Sequence, residues 1–146
     1  MTVGFAAVAC ALIALDQTTK FLVASSIKLG ESVPIIEGAF HITRVHNTGV
    51  AFGLFKGAFS APVFLALAAV FMIILCVNRF GRGHIYLRTA LLFILSGTIG
   101  NLIDRIRLGY VVDFIDFRIW PVFNIADIVI TFGGAYLLYH ILFHRA

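Results

Sequence analysis

Four apolar stretches, each close to the length of a membrane-crossing helix, most constrain how this chain can fold. They run from about Val3 to Ala24, Ala58 to Val77, Tyr86 to Ile103 and Phe123 to Phe143. About 20 helical residues cross the hydrocarbon core of a bilayer. Only 12% of the residues are charged, against roughly a quarter in soluble domains. The sequence therefore predicts an all-α polytopic membrane protein with four transmembrane helices.

The first and third connections between these spans predict a small β element. Ser32–Ile36 and Phe40–Val45 have the composition of short strands on either side of a Glu37–Gly38 turn. A similar extended stretch runs from Tyr110 to Phe117 and is ended by Pro121. Because four spans return the chain to its starting side, both connections lie at the same membrane face. At 146 residues, the chain is expected to form one membrane-embedded domain.

The second connection indicates the orientation in the membrane. It holds Arg79 and Arg82, with Arg88 just beyond, and no acid. Arginine and lysine are enriched in cytoplasmic loops, so we expect both termini in the cytoplasm and the β element at the extracytoplasmic face. No basic run alternates with aromatic residues, and nucleic acid is therefore not an expected partner.

Polar residues within the apolar spans are the main functional signal, because ionisable groups are costly in a membrane. Asp16 and Lys20 lie four residues apart, which places them on one helix face as an ion pair. A structural pair near the helix end and a functional pair are both consistent with this spacing. In the third span, Gly97 and Gly100 predict a close approach by a neighbouring helix.

The third span ends in a second polar group. Asn101, Asp104 and Arg105 share one helix face. We expect Asp104 to be a buried organiser whose charge Arg105 neutralises.

Asp113 and Asp127 are the strongest candidates for chemistry. Neither has a cation next to it in the sequence, and both are flanked by apolar residues. Two carboxylates held close together cannot both ionise and so share one proton. Asp127 is alternatively a helix N-terminal acid favoured by the helix dipole. Asp116 is interpreted as an exposed loop acid paired with Arg118.

A carboxylate pair of this kind can hydrolyse a bond by general acid–base catalysis without a covalent intermediate. The sequence contains no G-x-S-x-G or H-E-x-x-H motif, and none of its five histidines has ligand spacing. No metal or cofactor is therefore expected. Intramembrane acids also occur in proton-coupled small transporters, and structural acids in assembly subunits. The residues alone leave these alternatives open and do not identify a substrate.

Five ordered blocks resemble the bacterial lipoprotein signal peptidase family, also called signal peptidase II. The resemblance covers nearly the whole chain, and its specificity comes from the order of the blocks on four spans. The blocks are Asp16-Gln17-Thr18-Thr19-Lys20, Asn47-Thr48-Gly49-Val50-Ala51-Phe52-Gly53, Gly100-Asn101 with Asp104-Arg105, Val112-Asp113-Phe114, and Phe123-Asn124 with Ala126-Asp127.

The resemblance implies an aspartic endopeptidase of the bacterial cytoplasmic (inner) membrane, with its active site near the extracytoplasmic face. Its implied substrates are diacylglyceryl-modified prolipoproteins, cut just before the lipidated lipobox cysteine. Membrane lipids are implied partners, globomycin-type peptide antibiotics are implied inhibitors, and a monomer is the implied state. The implied catalytic pair is Asp113 and Asp127. Substrate-binding or supporting positions fall on Asn47, Gly49, Asp16, Lys20, Asn101, Asp104, Arg105, Asn124 and Ala126.

Two features depart from the pattern of this family. Ser96-Gly97-Thr98 stands where glycine-glycine-alanine is common, and we expect the Ser96 hydroxyl to bond back within its helix without loss of activity. The connection between Asp113 and Asp127 is also shorter, which predicts a difference in how the site is covered and which substrates are favoured.

Overall fold

The computed structural model describes residues 2–49, 60–81 and 83–143. The predicted fold class is confirmed, with four long helices and a small three-stranded sheet in those residues. Three features named above lie outside them: the predicted start of the second span at Ala58, the loop residues Val50–Gly53, and Arg82. The elements are α1 (Thr2–Ser26), β1 (Ser32–Ile36), β2 (Phe40–Asn47), α2 (Ser60–Phe80), α3 (Ile85–Leu108), β3 (Val111–Asp116) and α4 (Ile125–Phe143).

All four helices are long and apolar enough to cross a membrane. Many large apolar side chains on them are exposed, including Phe21 on α1, Phe64 and Phe71 on α2, and Phe132 on α4. Exposed aromatic surface of this extent is unfavourable in water and favourable against lipid. The helices therefore present an apolar face outward and bury their polar residues between one another.

α3 is the central helix of the bundle. It packs against each of the other three helices, most extensively against α4, and is the most buried of the four spans. Two glycines make these contacts possible, as predicted. A Cβ on Gly97 would collide with the Ala126 carbonyl oxygen and with Ile130 of α4, and a Cβ on Gly100 would lie 2.6 Å from an Asp16 carboxylate oxygen of α1. The predicted back-bond of Ser96 is also confirmed, with its hydroxyl donating to the Leu92 carbonyl at 2.7 Å.

α3 ends later than the sequence predicted. The helix continues to Leu108, beyond the expected end at Ile103, because Asp104 and Arg105 find partners inside the protein. Gly109 then adopts a left-handed conformation at φ 83°, and its N–H bonds to the Arg105 carbonyl. A left-handed glycine is a common way to end a helix. The chain enters β3 only two residues later.

The sheet has the strand order β1-β2-β3, with both neighbouring pairs antiparallel. The predicted hairpin is confirmed: Ser32 pairs with Thr43, and the turn holds Gly38 at φ 74°. On the other side of β2, Asn47 pairs with Val111 of β3. β3 thus joins the connection after α3 to the connection after α1, at one end of the bundle.

The far edge of β3 determines where α4 begins. Phe123 forms an antiparallel bridge with Ile115, and its carbonyl also accepts the Phe114 N–H at 2.9 Å. Phe123, which the sequence placed at the start of the fourth span, is therefore bonded to the sheet, and α4 starts at Ile125. This bridge brings the start of α4 alongside Asp113.

We predict that Gly97→Ala destabilises the bundle, while Gly134→Ala on α4 does not. A Cβ on Gly97 would lie against the α4 backbone and 2.7 Å from Ile130 Cγ1, whereas one on Gly134 meets nothing within 4 Å. Overpacking typically costs about 1–3 kcal/mol. Thermal unfolding of the detergent-purified protein should show a lower midpoint for Gly97→Ala only. Equal midpoints for the two variants would contradict the close packing of α3 on α4.

Candidate active site

Asp113 lies within β3, a strand whose six residues are all buried. Its side chain is 2% exposed, and its Cα pairs with that of Val45 on β2. Two amide groups hold its carboxylate from opposite elements. Asn47 Nδ2 donates to Oδ2 at 2.9 Å, and Asn124 Nδ2 donates to Oδ1 at 2.6 Å. This carboxylate is therefore both desolvated and fixed in direction.

Asp127 lies in the first turn of α4, as the sequence predicted for a helix N-terminal acid. Asn124, just before the helix, accepts the Asp127 N–H on its side-chain oxygen at 3.0 Å. Asp127 Oδ2 accepts the Asn124 N–H at 3.3 Å in return. These reciprocal bonds form a capping box, which satisfies two free backbone donors at the helix start. The cap leaves Asp127 Oδ1 available to other partners.

Asn101 and Asn124 link the two aspartates. Asn101 Nδ2 donates to Asp127 Oδ1 at 2.9 Å. Asn124 Nδ2 donates both to Asp113 and to Asn101 Oδ1, the latter at 3.1 Å. An unbroken chain of hydrogen bonds therefore runs from Asp113 through the two amides to Asp127. The structure thus brings to one site the two acids that the sequence singled out, from a strand and a helix.

Lys20 fixes the orientation of the Asn101 amide, and with it the direction of these hydrogen bonds. Its ammonium group, 3% exposed, contacts Asp16 Oδ2 at 2.9 Å, Asp104 Oδ2 at 3.1 Å and Asn101 Oδ1 at 2.9 Å. An ammonium has only donors, so it fixes the Asn101 oxygen toward itself and the Asn101 NH₂ toward Asp127. The predicted Asp16–Lys20 ion pair is confirmed, and it is part of the support of the site.

Asp16 also connects α1 to α4. Its Oδ1 accepts the Ala126 N–H at 2.9 Å, within the first turn of α4, where an anion is favoured by the helix dipole. Gln17 donates to Asp104 Oδ1 at 2.8 Å and to the Gly100 carbonyl at 3.1 Å. The sequence analysis did not single out Gln17. The available signal was its position directly after Asp16 in an otherwise apolar helix.

The predicted Asp104–Arg105 neutralisation is wrong. Asp104 is bound by Lys20 and by the Val112 N–H at 3.1 Å. Arg105 instead donates from Nη2 to the Gly49 carbonyl at 3.0 Å. Successive residues on a helix do not face each other, so Asp104 points into the bundle while Arg105 points toward the loop after β2. The prediction that Asp104 is a buried organiser is supported by its contacts with α1 and β3.

The loop after β2 is held by two bonds from described residues. Gly49 N–H donates to Asn47 Oδ1 at 3.0 Å, which leaves the Asn47 NH₂ directed at Asp113. Arg105 binds the same glycine through its carbonyl, and its Nε is buried without a hydrogen-bond partner. Through its bonds to Gly49, Arg105 therefore helps to fix the orientation of the Asn47 side chain.

Asp116 was predicted to be an exposed loop acid paired with Arg118. The ion pair is present at 3.0 Å, but Asp116 is the last residue of β3 and is only 5% exposed. Thr43 of β2 donates to its Oδ2 at 2.7 Å. The prediction of exposure is wrong because Asp116 pairs with His41 of β2 and its carboxylate is covered by Thr43 of the same strand.

A cavity of about 480 Å³ opens beside the aspartates. Its polar end is formed by both acids with their amides and Arg105, and its walls are mostly apolar. Sequence reasoning gave no indication that α2 would contribute to it, because that helix contains no polar signal in its apolar run. The lining residues are Asn47, Pro62, Leu65, Ala66, Ala69, Thr98, Asn101, Arg105, Val111, Asp113, Trp120, Pro121, Val122, Phe123, Asp127, Ile130 and Thr131.

The electrostatics of the site suit proton transfer. Burial, followed by the charge of Asp127, raises the pKa of Asp113 to about 6, although hydrogen bonds from Asn47 and Asn124 partly offset the rise. A carboxyl group in this range can hold or release a proton near neutral pH. Among the described residues, no three His, Cys, Asp or Glu side chains are arranged to hold a metal ion.

The fold and the site together define a class: a small multi-pass membrane protein with two amide-linked carboxylates at the polar end of an apolar cavity. The sequence pattern of the family described as Signal peptidase (SPase) II matches residues 8–143. The chain belongs to that family.

Relatives and solved structures agree with this assignment. The chain is 45% identical over 131 residues to the lipoprotein signal peptidase of Halothermothrix orenii, covering 89% of each chain. It is 41% identical over 138 residues to that of Moorella thermoacetica, covering 94% of this chain and 92% of the relative. Two solved structures, each described as a bacterial membrane enzyme, are also similar. One has a TM-score of 0.89 at 29% identity, with 95% of this chain and 87% of that chain covered; the other has 0.87 at 28%, with 97% and 94% covered.

We predict that Asp113 makes the protein less stable as the pH rises. Its folded-state pKa lies above the ordinary value of 3.8, so between about pH 4 and about pH 6 the folded state binds more protons than the unfolded state. Above about pH 6, the raised pKa lowers the free energy of unfolding by about 3 kcal/mol. Thermal midpoints of wild type and Asp113→Asn, measured across this range, should diverge in favour of the variant as the pH rises.

Asp116→Asn is the matched control for that measurement. A hydrogen bond from Thr43 lowers the pKa of Asp116, so this acid stabilises the fold above its ordinary pKa and loses that contribution as the pH falls. Its variant should therefore diverge from wild type in the opposite direction. Parallel midpoint curves for wild type and Asp113→Asn would contradict the raised pKa.

We predict that Lys20→Met strongly destabilises the protein. Removing the ammonium leaves two buried carboxylates, Asp16 and Asp104, without their shared cation. Breaking a buried ion pair in this way typically costs about 3–5 kcal/mol. Thermal unfolding in detergent checks this, with Lys28→Met as the control because Lys28 is exposed. A midpoint for Lys20→Met as high as that of the control would contradict the central role of Lys20.

Proposed function

We propose that this protein is an aspartic endopeptidase that removes signal peptides from prolipoproteins, with Asp113 and Asp127 as its catalytic pair. The observation that carries the proposal is the chain of hydrogen bonds joining these two carboxylates through Asn124 and Asn101 at the cavity. Membership of the signal peptidase II family agrees with this reaction. So do the names of its relatives, each a lipoprotein signal peptidase.

The two carboxylates divide the work of hydrolysis. One is ionised and takes a proton from a water molecule as its oxygen attacks the scissile carbonyl carbon. The other is protonated and donates a hydrogen bond to the carbonyl oxygen, which stabilises the charge that develops there. The proton taken from the water then passes from the first carboxylate to the leaving nitrogen as the C–N bond breaks. The shared proton belongs to the pair rather than to either aspartate alone.

The surrounding residues keep both carboxylates in place during this reaction. Asn124 bonds to each aspartate, and Asn101 to Asp127. Lys20 orients Asn101 from the far side without itself lining the cavity. Preorganised amides of this kind need no rearrangement when charge moves within the site. Arg105 lines the cavity and donates from Nη2 to the Gly49 carbonyl, so it holds the loop after β2 beside the site.

The substrate we propose is a prolipoprotein that carries diacylglycerol on its lipobox cysteine and is cut just before that residue. The apolar cavity walls from α2 and α4, including Leu65, Ala66 and Ile130, match an apolar signal peptide. A second apolar groove, bordered by Ile128 and Phe132, adjoins the cavity at Asp127. Acyl chains can approach it from the lipid. Globomycin-type peptides should compete for the same cavity, and the protein should act as a monomer.

We propose further that the site faces the extracytoplasmic side. The sheet and both aspartates lie at the end of the bundle opposite the α2–α3 turn. Arg79 lies at that turn and Arg88 just beyond it, and positively charged ends favour the cytoplasm. Both termini then lie in the cytoplasm, and water reaches the aspartates from outside the cell.

The proton-coupled transporter is not supported. The family assignment and the names of the relatives indicate a peptidase. The acids also cluster at one end of the bundle, whereas a transport site lies near the middle of the membrane. An assembly subunit with structural aspartates makes a different prediction from a peptidase, and the experiment below separates them.

We predict that purified wild-type protein cleaves a diacylglyceryl-modified prolipoprotein before its lipidated cysteine, whereas Asp113→Asn and Asp127→Asn lose at least about 1,000-fold in turnover. The expected size reflects loss of acid–base catalysis together with charge stabilisation. Cleavage is followed by mass spectrometry of the released peptide, with globomycin added to a parallel sample. Thermal unfolding of each variant shows whether it is folded.

Asp116→Asn is the control in this assay, since Asp116 lies at the other end of β3 and does not line the cavity. It should cleave at close to the wild-type rate. Inert wild-type protein on authentic substrate would overturn the proposed function. If a variant at Asp113 or Asp127 is folded and active, the protein is still a hydrolase but that aspartate is not catalytic. Unfolding of both aspartate variants, while the wild-type protein cleaves the substrate, would favour a structural role for the pair.

A further inference from the structure

The bundle has a strong separation of charge between its two ends. All seven acidic residues belong to the half that carries the sheet and the carboxylate site: Asp16, Glu31, Glu37, Asp104, Asp113, Asp116 and Asp127. The opposite end consists of the start of α1, the α2–α3 turn and the end of α4, and we call it the basic end. No acid occurs in residues 1–15, 60–103 or 128–146. Among the described residues, the basic end therefore has no acidic side chain that could neutralise its arginines.

Two guanidinium groups of the basic end are held by aromatic rings. Arg88 Cζ, on α3, lies 5.0 Å from the centroid of the Phe5 ring on α1. Arg79 Cζ, on α2, lies 5.4 Å from the Phe80 ring. Among the described residues, neither guanidinium has an ion pair. A ring covers one face of a guanidinium and leaves the N–H groups at its edge free to donate.

The packing of the α2–α3 turn places the stem of Arg88 beside the end of α2, the helix that carries Arg79. Gly81 lies two residues after Arg79, and a Cβ there would be 3.0 Å from Arg88 Cγ. The stem of Arg88 thus lies against the end of the helix that carries Arg79. The site combines positive charge from two helices with a ring from a third.

The surroundings of the two arginines are those of a membrane interface. Phe80 and Ile85, on either side of the turn, are exposed large apolar residues. Tyr86 stacks on His140 with ring centroids 5.0 Å apart, and Tyr136 meets the same histidine edge-on at 4.6 Å. Tyrosine is enriched where a membrane protein passes from hydrocarbon to headgroups. Apolar surface for acyl chains therefore lies directly beside donors suited to phosphate.

We infer that the basic end binds the phosphate of an anionic phospholipid between Arg79 and Arg88, with the acyl chains of that lipid against Phe80 and Ile85. Arginine recognises phosphate through paired N–H donors, and here the rings hold the guanidiniums ready. The lipid supplies negative charge where the described residues of this end have no acidic side chain. The adjoining apolar surface favours a lipid over free phosphate. This inference does not rest on the proposed peptidase activity.

The test is native mass spectrometry of the full-length protein in detergent, with phosphatidylglycerol and phosphatidylcholine added at equal concentration. The wild-type protein should retain phosphatidylglycerol preferentially. Each arginine near a membrane surface contributes about 1 kcal/mol of attraction to anionic lipid, so Arg79→Gln and Arg88→Gln should each weaken retention about five-fold. The preference should also fall as salt is added.

Arg107→Gln is the matched control, because Arg107 is an exposed arginine near the sheet end of α3. It removes the same charge and should leave phosphatidylglycerol retention unchanged. Should Arg88→Gln fail to fold, Arg88→Lys tests the same donor, since it keeps the charge and loses the paired geometry; its retention should be intermediate.

Three results would overturn the inference. Equal retention of phosphatidylcholine by the wild-type protein would show that the headgroup charge is not recognised. An equal loss of phosphatidylglycerol in Arg107→Gln would assign the effect to net charge rather than to the basic end. Displacement of the lipid by excess inorganic phosphate, with the same protection against thermal unfolding, would make the ligand a soluble anion.

Discussion

A single buried ammonium group supports much of this structure. Lys20 crosses from α1 to the polar end of α3, where it contacts Asp104 and the Asn101 side chain while also pairing with Asp16. Burying one cation with two carboxylates is costly unless every donor is satisfied, and here all three N–H groups have acceptors. The arrangement specifies how α1, α3 and α4 fit together, since Asp16 also accepts the Ala126 N–H of α4. It orients an amide of the site as well, so packing and chemistry share one interaction.

Short local features at the ends of the helices and strands place the two carboxylates. A left-handed Gly109 ends α3 and starts β3, which carries Asp113. The bridge at Phe123 then returns the chain to the sheet, and the Asn124 cap starts α4 with Asp127 in its first turn. Each feature is local and rigid. Rigid elements hold catalytic groups more accurately than a long loop would, because few torsions remain free.

The bundle is polarised along its length, and the two ends have different chemistry. The sheet end gathers acids and amides beside an apolar cavity, whereas the opposite end presents guanidiniums over aromatic rings. The orientation proposed above places the basic end in the cytoplasm. The proposed peptide hydrolysis and the proposed lipid binding are compatible because the two sites share no residue.

The sequence by itself determined the four spans, the hairpin and the pairing of Asp16 with Lys20, because these depend on apolar length, local alternation and helical spacing. It also singled out Asp113 and Asp127 as acids without nearby cations. Only the tertiary structure decided that Asp104 is neutralised by Lys20 rather than by Arg105, and that apolar α2 residues line the cavity. Partners separated by tens of residues leave no local pattern, since their contact depends on how the helices pack. The burial of polar groups follows the same rule, because water is excluded by neighbours that the local sequence does not contain.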